Sequence, residues 1–281
     1  MIFQDFAPSP QLAHLVRFYR VRHFNFPHKA AVTAKPYPAR PEHCITFCVR
    51  GRITVIHPIT GEAIITPRSY LSGQYTQRIN KLCMEKELLM VLVVFHPGAV
   101  HQLTGIPCNE LQDTGINLAD VFYSDTKSLE TKLDNAGSYD ELLRLVDAFL
   151  KELYAKKELL AERPLHKVFR MMMAGSDMTR VEKLASEACL SIRQLERQFM
   201  QWCGVSPSRM MQIVRFDQAY RLKLQHPEYN WLRIAMHCGF HDYQHLAKAF
   251  QTFALASPGT LFSDEAKSPE RKLGLIHTLN G

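Results

Sequence analysis

The chain has 281 residues, of which 46% are hydrophobic and 22% are charged. This balance indicates a folded protein with room for two domains and excludes a largely disordered chain. No apolar run reaches the length of a membrane span, and the N-terminus lacks the basic and apolar segments of a secretory signal. The seven cysteines are scattered without a C-x-x-C pair, so we expect a cytoplasmic protein.

The charge distribution favours a polyanionic partner for the C-terminal half. The formal net charge is +7. Residues 161–281 carry 16 Lys and Arg against 11 Asp and Glu, whereas residues 1–160 carry 18 against 16. A basic excess of this kind is typical of proteins that contact nucleic acid, although its size is modest.

The first 125 residues read as a β-rich domain. Short runs rich in β-branched and aromatic residues are separated by Gly and Pro, at 44–50, 53–59, 62–66 and 88–95. Because no helix-length spacers separate them, the pattern predicts an antiparallel sandwich or barrel over residues 1–125.

A helix is predicted over residues 138–157. Its start is marked by a capping box of Ser138 and Glu141. Apolar residues recur with helical spacing at 142, 145, 146, 149, 150, 153 and 154. This stripe could pack in its own domain or form a seam with a second copy of the chain, and both alternatives stay open. We take 126–160 as a helical dimerisation or linker segment.

The C-terminal half contains an internal repeat. Residues 183–210 (KLASEACLSIRQLERQFMQWCGVSPSRM) align with residues 233–261 (RIAMHCGFHDYQHLAKAFQTFALASPGTL). Each copy reads as helix, short turn, helix. The predicted capping residues are Thr179 with Glu182, Ser191 with Gln194, and Asp242. A helix–turn–helix whose second helix starts at a polar cap is the geometry of a DNA-reading motif.

The second copy also contains His237, His241 and His245 at steps of four residues. On one continuous helix they would share a face suited to a metal ion. Gly239 and Asp242 predict a helix break between them, so we expect no metal site here.

The second helix of each copy carries a polar face opposite an apolar one. The apolar residues are Ile192, Leu195 and Phe199 in the first copy and Leu246, Ala249 and Phe250 in the second. The polar faces are Arg193, Glu196, Arg197 and Met200, and Gln244, Ala247, Lys248 and Gln251. Such side chains can contact base edges in a major groove. One such face alone is more typical of a solvated helix; two in the same frame of a repeat favour DNA reading.

These residues resemble the AraC/XylS family of bacterial transcription regulators. The resemblance covers about residues 165–262 and includes a linking helix over 206–225. Its second unit matches the family pattern at Ile234, Ala235, Gly239, Phe240, Asp242, Phe250, Ser257 and Pro258. The N-terminal half is more weakly similar to the sensory domains of such regulators, which implies a cupin-like barrel.

The resemblance implies an α+β multidomain protein: a cupin-like N-terminal barrel with helices, then an all-α domain over 161–265 and a flexible tail over 266–281. It further implies binding of double-stranded DNA, with a homodimer, a small-molecule effector and RNA polymerase as further partners, and no membrane partner. By position, the base-facing residues would be Arg193, Glu196, Arg197, Tyr243, Gln244, Ala247 and Lys248. Ser191 and Asp242, which begin the two helices, would lie at the DNA backbone.

Four positions depart from the family pattern. Cys189 and Leu255 stand where Gly is common, and Ser263 stands where Arg is usual. Lys248 replaces the usual reading Arg and loses its bidentate geometry. We therefore expect the first unit to carry more of the sequence readout.

Two other function classes remain. Cupin-like barrels also host metal-dependent enzymes, but His43, His57, His96 and His101 form no H-x-H pair, and hydrolase or nucleotide motifs are absent from the sequence. We therefore expect no catalysis and no cofactor. The departures at Leu255 and Ser263 also allow an interaction module with degenerate DNA-binding units. Effector-binding residues cannot be read from the sequence.

Overall fold

The computed structural model describes residues 1–26, 34–83, 85–156, 164–174, 180–268, 271 and 274. Within that part of the chain, the N-terminal half contains ten strands. They are β1 (Ile2–Phe6), β2 (Val16–Asn25), β3 (Lys35–Tyr37), β4 (Cys44–Arg50), β5 (Thr54–Ile56), β6 (Ala63–Ile65), β7 (Ser69–Ser72), β8 (Ile79–Leu82), β9 (Glu87–Phe95) and β10 (Gly115–Asn117).

The strands form two separate antiparallel sheets. The larger sheet has the order β1-β2-β9-β4-β7-β10, and the smaller has the order β3-β8-β5-β6. The α+β class is therefore confirmed, with sheets in the N-terminal half and helices in the C-terminal half, whereas the barrel of the prediction is not closed among the described strands. The strands of the smaller sheet are three or four residues long. They pair with one another and supply no hydrogen-bonded ladder to either edge of the larger sheet.

Three helices accompany the sheets: α1 (Ala99–Thr104), α2 (Tyr123–Asp134) and α3 (Tyr139–Ala155). Ser138 caps α3 as predicted, since its Oγ accepts a hydrogen bond from the Glu141 N–H at 3.2 Å. The Glu141 carboxylate accepts from the Gly137 N–H instead of the Ser138 N–H. The second bond of the predicted capping box is therefore made by the N–H of Gly137, one residue before the N-cap.

The apolar stripe of α3 packs in its own domain. Phe149 makes an edge-on contact with Phe47 of β4, their ring centroids lying 5.8 Å apart. The Tyr19 hydroxyl on β2 donates to the Asp147 carboxylate at 2.8 Å. Of the two alternatives for this stripe, packing in its own domain is confirmed. Six of the seven side chains of the stripe are buried in the core and Leu145 is partly buried, so they are not free to form a seam with a second copy.

Seven helices form the described part of the C-terminal half. They are α4 (Pro164–Met173), α5 (Val181–Glu187), α6 (Ile192–Cys203), α7 (Pro207–Gln225), α8 (Trp231–His237), α9 (Tyr243–Ala254) and α10 (Pro258–Ala266). Helices α4–α6 surround one apolar core and α8–α10 another, and α7 contributes residues to both. Helix α7 is the linking helix expected from the sequence, with Ser206 as its N-cap and Pro207 in its first turn.

The two halves of the chain contact each other through the segment between β3 and β4. The Ala39 N–H donates to the Phe253 carbonyl of α9 at 3.0 Å, and Ala39 is fully buried in the core of the second unit. The Arg40 guanidinium Nε lies 3.2 Å from the Asp217 carboxylate of α7. The β-rich half is therefore anchored directly to the helix that joins the two repeats.

Candidate nucleic-acid interface

The first unit consists of α5, a turn and α6. Ser191 begins α6 with a complete capping box: its Oγ accepts from the Gln194 N–H at 3.3 Å, and its own N–H donates to the Gln194 side chain at 2.9 Å. This prediction is confirmed. The predicted cap at Thr179 lies outside the described residues, and Arg180 immediately precedes α5 without a side-chain cap.

Helix α6 presents a polar face to solvent. The side chains of Arg193, Glu196 and Arg197 are exposed, whereas Leu195 and Phe199 on the opposite side are fully buried. Ile192 departs from the predicted pattern, because it is 43% exposed instead of packing with the apolar side. It occupies the first turn of α6, beyond the edge of the core.

The second unit consists of α8, a turn and α9. Asp242 begins α9, and its Oδ1 accepts a hydrogen bond from the His245 N–H at 2.8 Å. The predicted base-facing residues lie along one side of α9: Tyr243, Gln244 and Lys248 are exposed, and Ala247 is half-buried. The opposite side packs Leu246 and Phe250 into the core. The two units therefore present equivalent helix faces.

The departures from glycine fall on strained backbone. Cys189 has φ +53° and Leu255 has φ +51°, both in the left-handed region that favours Gly. Gly239, which aligns with Cys189 in the repeat, has φ +70°. The fold thus keeps the same turn in both units, and in the first unit a side chain is forced into it.

The predicted break in the histidine face is confirmed, because α8 ends at His237 and α9 starts at Tyr243. The turn nevertheless brings His241, Asp242 and His245 together, with one ligand atom of each within 4.8 Å of the others. These three could hold a divalent cation. The Asp242 carboxylate is already engaged as the cap of α9, so a cation would compete with the start of that helix.

Asp242 also sets the electrostatics at the start of α9. The backbone hydrogen bond from His245 lowers the pKa of Asp242, and the His245 side chain adds to this. The carboxylate is therefore ionised at neutral pH. A negative charge stands at the N-terminus of α9, whereas the neutral Ser191 stands at that of α6. The two helix ends differ in their attraction for anions.

Sequence reasoning missed the residues that hold the two halves together. Arg40, Asp217 and His43 lie in this contact, and His43 Nε2 lies 3.1 Å from the Cys203 carbonyl at the end of α6. The segment between β3 and β4 has no periodic pattern that predicts its partner.

No helix within the described residues is long and apolar enough to span a membrane.

Comparisons with known proteins agree with this architecture. Residues 184–264 match the family model of a helix–turn–helix domain, and residues 4–117 match that of a domain of unknown function. The HTH-type transcriptional activator RhaS of Escherichia coli O157:H7 is 36% identical over 76 residues, and that of Klebsiella pneumoniae (strain 342) is 37% identical over 70. The aligned part is 27% of this chain and 27% of the E. coli RhaS chain.

The comparison with solved structures found ToxT from Vibrio cholerae O395, which is 14% identical, with 87% of this chain and 96% of that chain covered and a TM-score of 0.46. An AraC-type regulator from Chromobacterium violaceum is 24% identical over 42% of this chain and 95% of its own, with a TM-score of 0.33. The two helix–turn–helix units joined by α7 thus agree with the helix–turn–helix domain family that matches residues 184–264, and the relatives that match this part of the chain are HTH-type transcriptional activators.

Proposed function

We propose that this protein is a transcription regulator that binds double-stranded DNA at a specific sequence, with residues 161–265 as its DNA-binding domain. One observation carries the proposal: α6 and α9 each begin at a side-chain cap, expose a polar face and pack their other face into a core shared with α7. A recognition helix needs this combination of exposed side chains on a fixed support.

The exposed side chains have the chemistry of base readout. Arg193 and Arg197 can each donate two parallel hydrogen bonds to guanine, and Glu196 can accept from cytosine. In α9, Gln244 suits adenine, Ala247 suits a thymine methyl, and Lys248 suits guanine without a fork. Tyr243 is 43% exposed at the start of α9 and completes this face.

The helix N-termini are the candidate backbone contacts. At Ser191 the cap is neutral, so the N-terminal N–H groups of α6 can attract a phosphate. At Asp242 the ionised cap opposes a phosphate. The N-terminus of α6 in the first unit therefore attracts a DNA phosphate more strongly than the N-terminus of α9 in the second unit.

The N-terminal half, residues 1–125, is proposed as a cupin-like sensory domain, and 126–160 as a segment that supports it. This half contacts α9 through Ala39 and α7 through Arg40, so a small molecule bound in it could alter the position of both helix–turn–helix units. A homodimer and contact with RNA polymerase remain predictions. A dimer would need a surface other than the buried stripe of α3.

The rival reading as a metal-dependent cupin enzyme lacks a ligand set in the described N-terminal half. The only group of metal-ligating side chains found among the described residues lies at His241, Asp242 and His245 in the second unit. His43, His57 and His101 instead make hydrogen bonds with separate backbone groups. The proposed function includes no catalytic role and no cofactor.

The test is selection of bound sequences from a random duplex pool by the full-length protein at fixed salt. We expect an enriched site of roughly 17–20 bp with two read segments about one helical turn apart. Affinity for that site should fall steeply with salt, because phosphate contacts release counterions. Binding without a preferred sequence and without salt dependence would favour the degenerate interaction module instead.

A further inference from the structure

Strand β2 carries two arginines on the side facing the smaller sheet. Tyr19, Val21 and His23 point towards α3, as shown by the hydrogen bonds of Tyr19 with Asp147 and of His23 with Tyr139. Because side chains alternate along a strand, Arg20 and Arg22 point the other way. Arg20 is fully buried and Arg22 is 5% exposed. Buried guanidinium groups need anionic partners.

Arg20 has such partners. Its Nε and Nη2 atoms donate to the two carboxylate oxygens of Asp5, at 2.8 and 3.1 Å. Its Nη1 lies 3.7 Å from the Glu42 carboxylate, which also faces Arg40 and Arg221 at 3.8 and 3.6 Å. The charge of Arg20 is thus balanced within the protein.

Arg22 differs from Arg20 in this respect. Its Nη2 donates to the Tyr37 hydroxyl at 2.9 Å, while its buried Nε has no hydrogen-bond partner. Lys81 of β8 also lies against the Tyr37 ring, with Nζ 4.4 Å from the ring centroid. Within the described residues, no carboxylate forms an ion pair with Arg22 or Lys81. A water molecule could satisfy the Nε donor, but it could not balance the charge.

The surroundings are also cationic in sum. Around Arg22 and Tyr37, six cationic side chains meet three carboxylates among the described residues, an excess of three. The cations are Arg17, Arg20, Arg22, Arg40, Lys81 and Arg221, and the carboxylates are Asp5, Glu42 and Asp217. An uncompensated buried charge is costly, so a folded protein either shifts a pKa or binds a counter-charge.

The pKa of Tyr37 indicates that the electrostatic potential at this corner is positive. Burial raises the pKa of its hydroxyl, but Arg22, Arg20 and Lys81 outweigh burial and lower it to about 7. A phenol titrates there only where the local potential is strongly positive. Even with Tyr37 ionised, the positive excess would not be fully balanced.

We propose that the corner formed by Arg22, Tyr37 and Lys81 binds an oxyanion, the carboxylate or phosphate group of a small molecule. The Nε of Arg22, which has no hydrogen-bond partner, would donate to it, while Nη2 stays with the Tyr37 hydroxyl and Lys81 adds a point charge. The aromatic ring of Phe3, 4.9 Å from the Arg22 guanidinium carbon, offers an apolar neighbour for the rest of the molecule.

The same corner is linked to the DNA-binding half. The Arg40 guanidinium lies 5.9 Å from the Tyr37 ring centroid and also pairs with Asp217 of α7. An anion at the corner would change the field on Arg40, and Arg40 holds α7. The claim that this anion is the effector of the regulator rests on the function proposed above. The claim that the corner binds an anion is independent of that function.

The experiment is thermal unfolding of the full-length protein without DNA, in sodium phosphate, acetate or benzoate, each against sodium chloride at equal ionic strength. Wild type is compared with Arg22→Met and Lys81→Met. Lys86→Met is the matched control, since Lys86 is exposed and directly precedes β9. We expect phosphate or a carboxylate to raise the Tm of wild type and Lys86→Met by about 2 °C or more. Both cluster variants should lose this rise.

The anion that acts distinguishes a phosphate ligand from a carboxylate ligand. If none of the three anions raises the Tm above chloride, or if the rise persists in both cluster variants, the proposal is wrong. Should Arg22→Met fail to fold, Lys81→Met decides alone, because its side chain is partly exposed. DNA binding of the same proteins is measured separately. If no anion binds at the corner, the proposed DNA-binding function is unaffected. If wild type does not bind DNA, the result for the anion is unaffected.

Discussion

The Nε2 atom of His43 in the β-rich half lies 3.1 Å from the backbone carbonyl oxygen of Cys203, the last residue of α6. Since a carbonyl can only accept, Nε2 carries a proton and donates it. The ring is 2% exposed, and burial lowers the pKa of His43 to about 4 despite that hydrogen bond. A neutral imidazole is thus part of the contact between the two halves.

The stability of the protein should therefore fall with mild acid. In the unfolded chain His43 has a pKa near 6.5, so between pH 6.5 and pH 4 the unfolded state binds a proton that the folded state does not. The contribution is fully present above pH 6.5 and is lost as pH falls towards 4. From pH 7 to pH 5 the free energy of unfolding should drop by about 2 kcal/mol through His43 alone.

Urea unfolding of wild type and His43→Gln at both pH values measures this drop. Glutamine can donate to the same carbonyl but does not titrate, so the variant should lose less stability on acidification. Burial also lowers the pKa of His96 to about 4. His96→Gln is therefore measured in the same way, as the matched variant at the second histidine of this kind. Equal pH dependence in wild type and His43→Gln would show that His43 is not a buried neutral group.

A pair of glycines at the two ends of α1 tests the contact between the halves. Gly98 and Gly105 both have positive φ, +87° and +77°. A Cβ on Gly98 would lie 2.5 Å from the Trp202 ring of α6, whereas a Cβ on Gly105 would meet nothing within 4 Å. Both alanine substitutions carry backbone strain of about 1 kcal/mol; only Gly98→Ala adds a clash across the interface.

We expect Gly105→Ala to lower the free energy of unfolding by about 1 kcal/mol and Gly98→Ala by about 2–4 kcal/mol. Chemical denaturation of the full-length proteins measures both. Equal losses would mean that α6 does not pack against α1 in solution. The N-terminal half and the first unit would then be linked less tightly than the structure indicates.

The aligned turn residues Cys189 and Gly239 make a reciprocal prediction. Cys189 is exposed at φ +53°, so Cys189→Gly should relieve strain and raise the free energy of unfolding by about 0.5–1 kcal/mol. Gly239 has φ +70° and open space around it, so Gly239→Ala should lower stability by about 1 kcal/mol through strain alone. Thermal or urea unfolding measures both changes, and the same sign in both variants would contradict the shared turn geometry.

The sequence predicted the helical half better than the β half, for a physical reason. Caps at Ser191 and Asp242 are local, since a side chain and a backbone N–H three residues apart decide them. The strand over Cys44–Arg50 was also predicted within its bounds, because both of its faces are buried and its residues are almost all apolar. Strand β2 was missed, since its inward residues include Arg20 and Arg22, which break the apolar alternation.

The sequence could not predict how the two halves pack. The contact of Ala39 with Phe253 joins two segments that are far apart in the chain, and no pattern in either segment specifies the other. For the same reason the sheets could not be told from a closed barrel, because the pairing of short strands such as β3 with β8 is decided by tertiary packing. The candidate site was readable because it repeats.

The reading face of α6 can be tested at Arg193 and Arg197. Each substitution to alanine should weaken binding to the selected site by roughly 1–3 kcal/mol for each lost base contact, while binding to unrelated duplex changes little. Arg144→Ala is the matched control, since Arg144 is exposed on α3 in the other half. Fluorescence anisotropy at fixed salt measures these affinities. If both variants bind the selected site as wild type does, the reading face is assigned wrongly.

The charged cap of α9 makes the last prediction. Asp242→Asn keeps a side chain that caps the helix well but removes a negative charge from the N-terminus of α9. If that end approaches a phosphate, affinity for the selected site should rise roughly threefold to tenfold, because the repulsion between the carboxylate and the phosphate is removed. Fluorescence anisotropy with the selected duplex measures the change.

The gain should shrink as salt is raised, because it is an exposed electrostatic effect. Asp140→Asn, in the first turn of α3, removes an exposed charge in the other half of the chain and should change nothing. An unchanged affinity in Asp242→Asn would place the start of α9 away from the phosphate backbone. In that case the second unit would dock in a different orientation from the first, despite the shared sequence repeat.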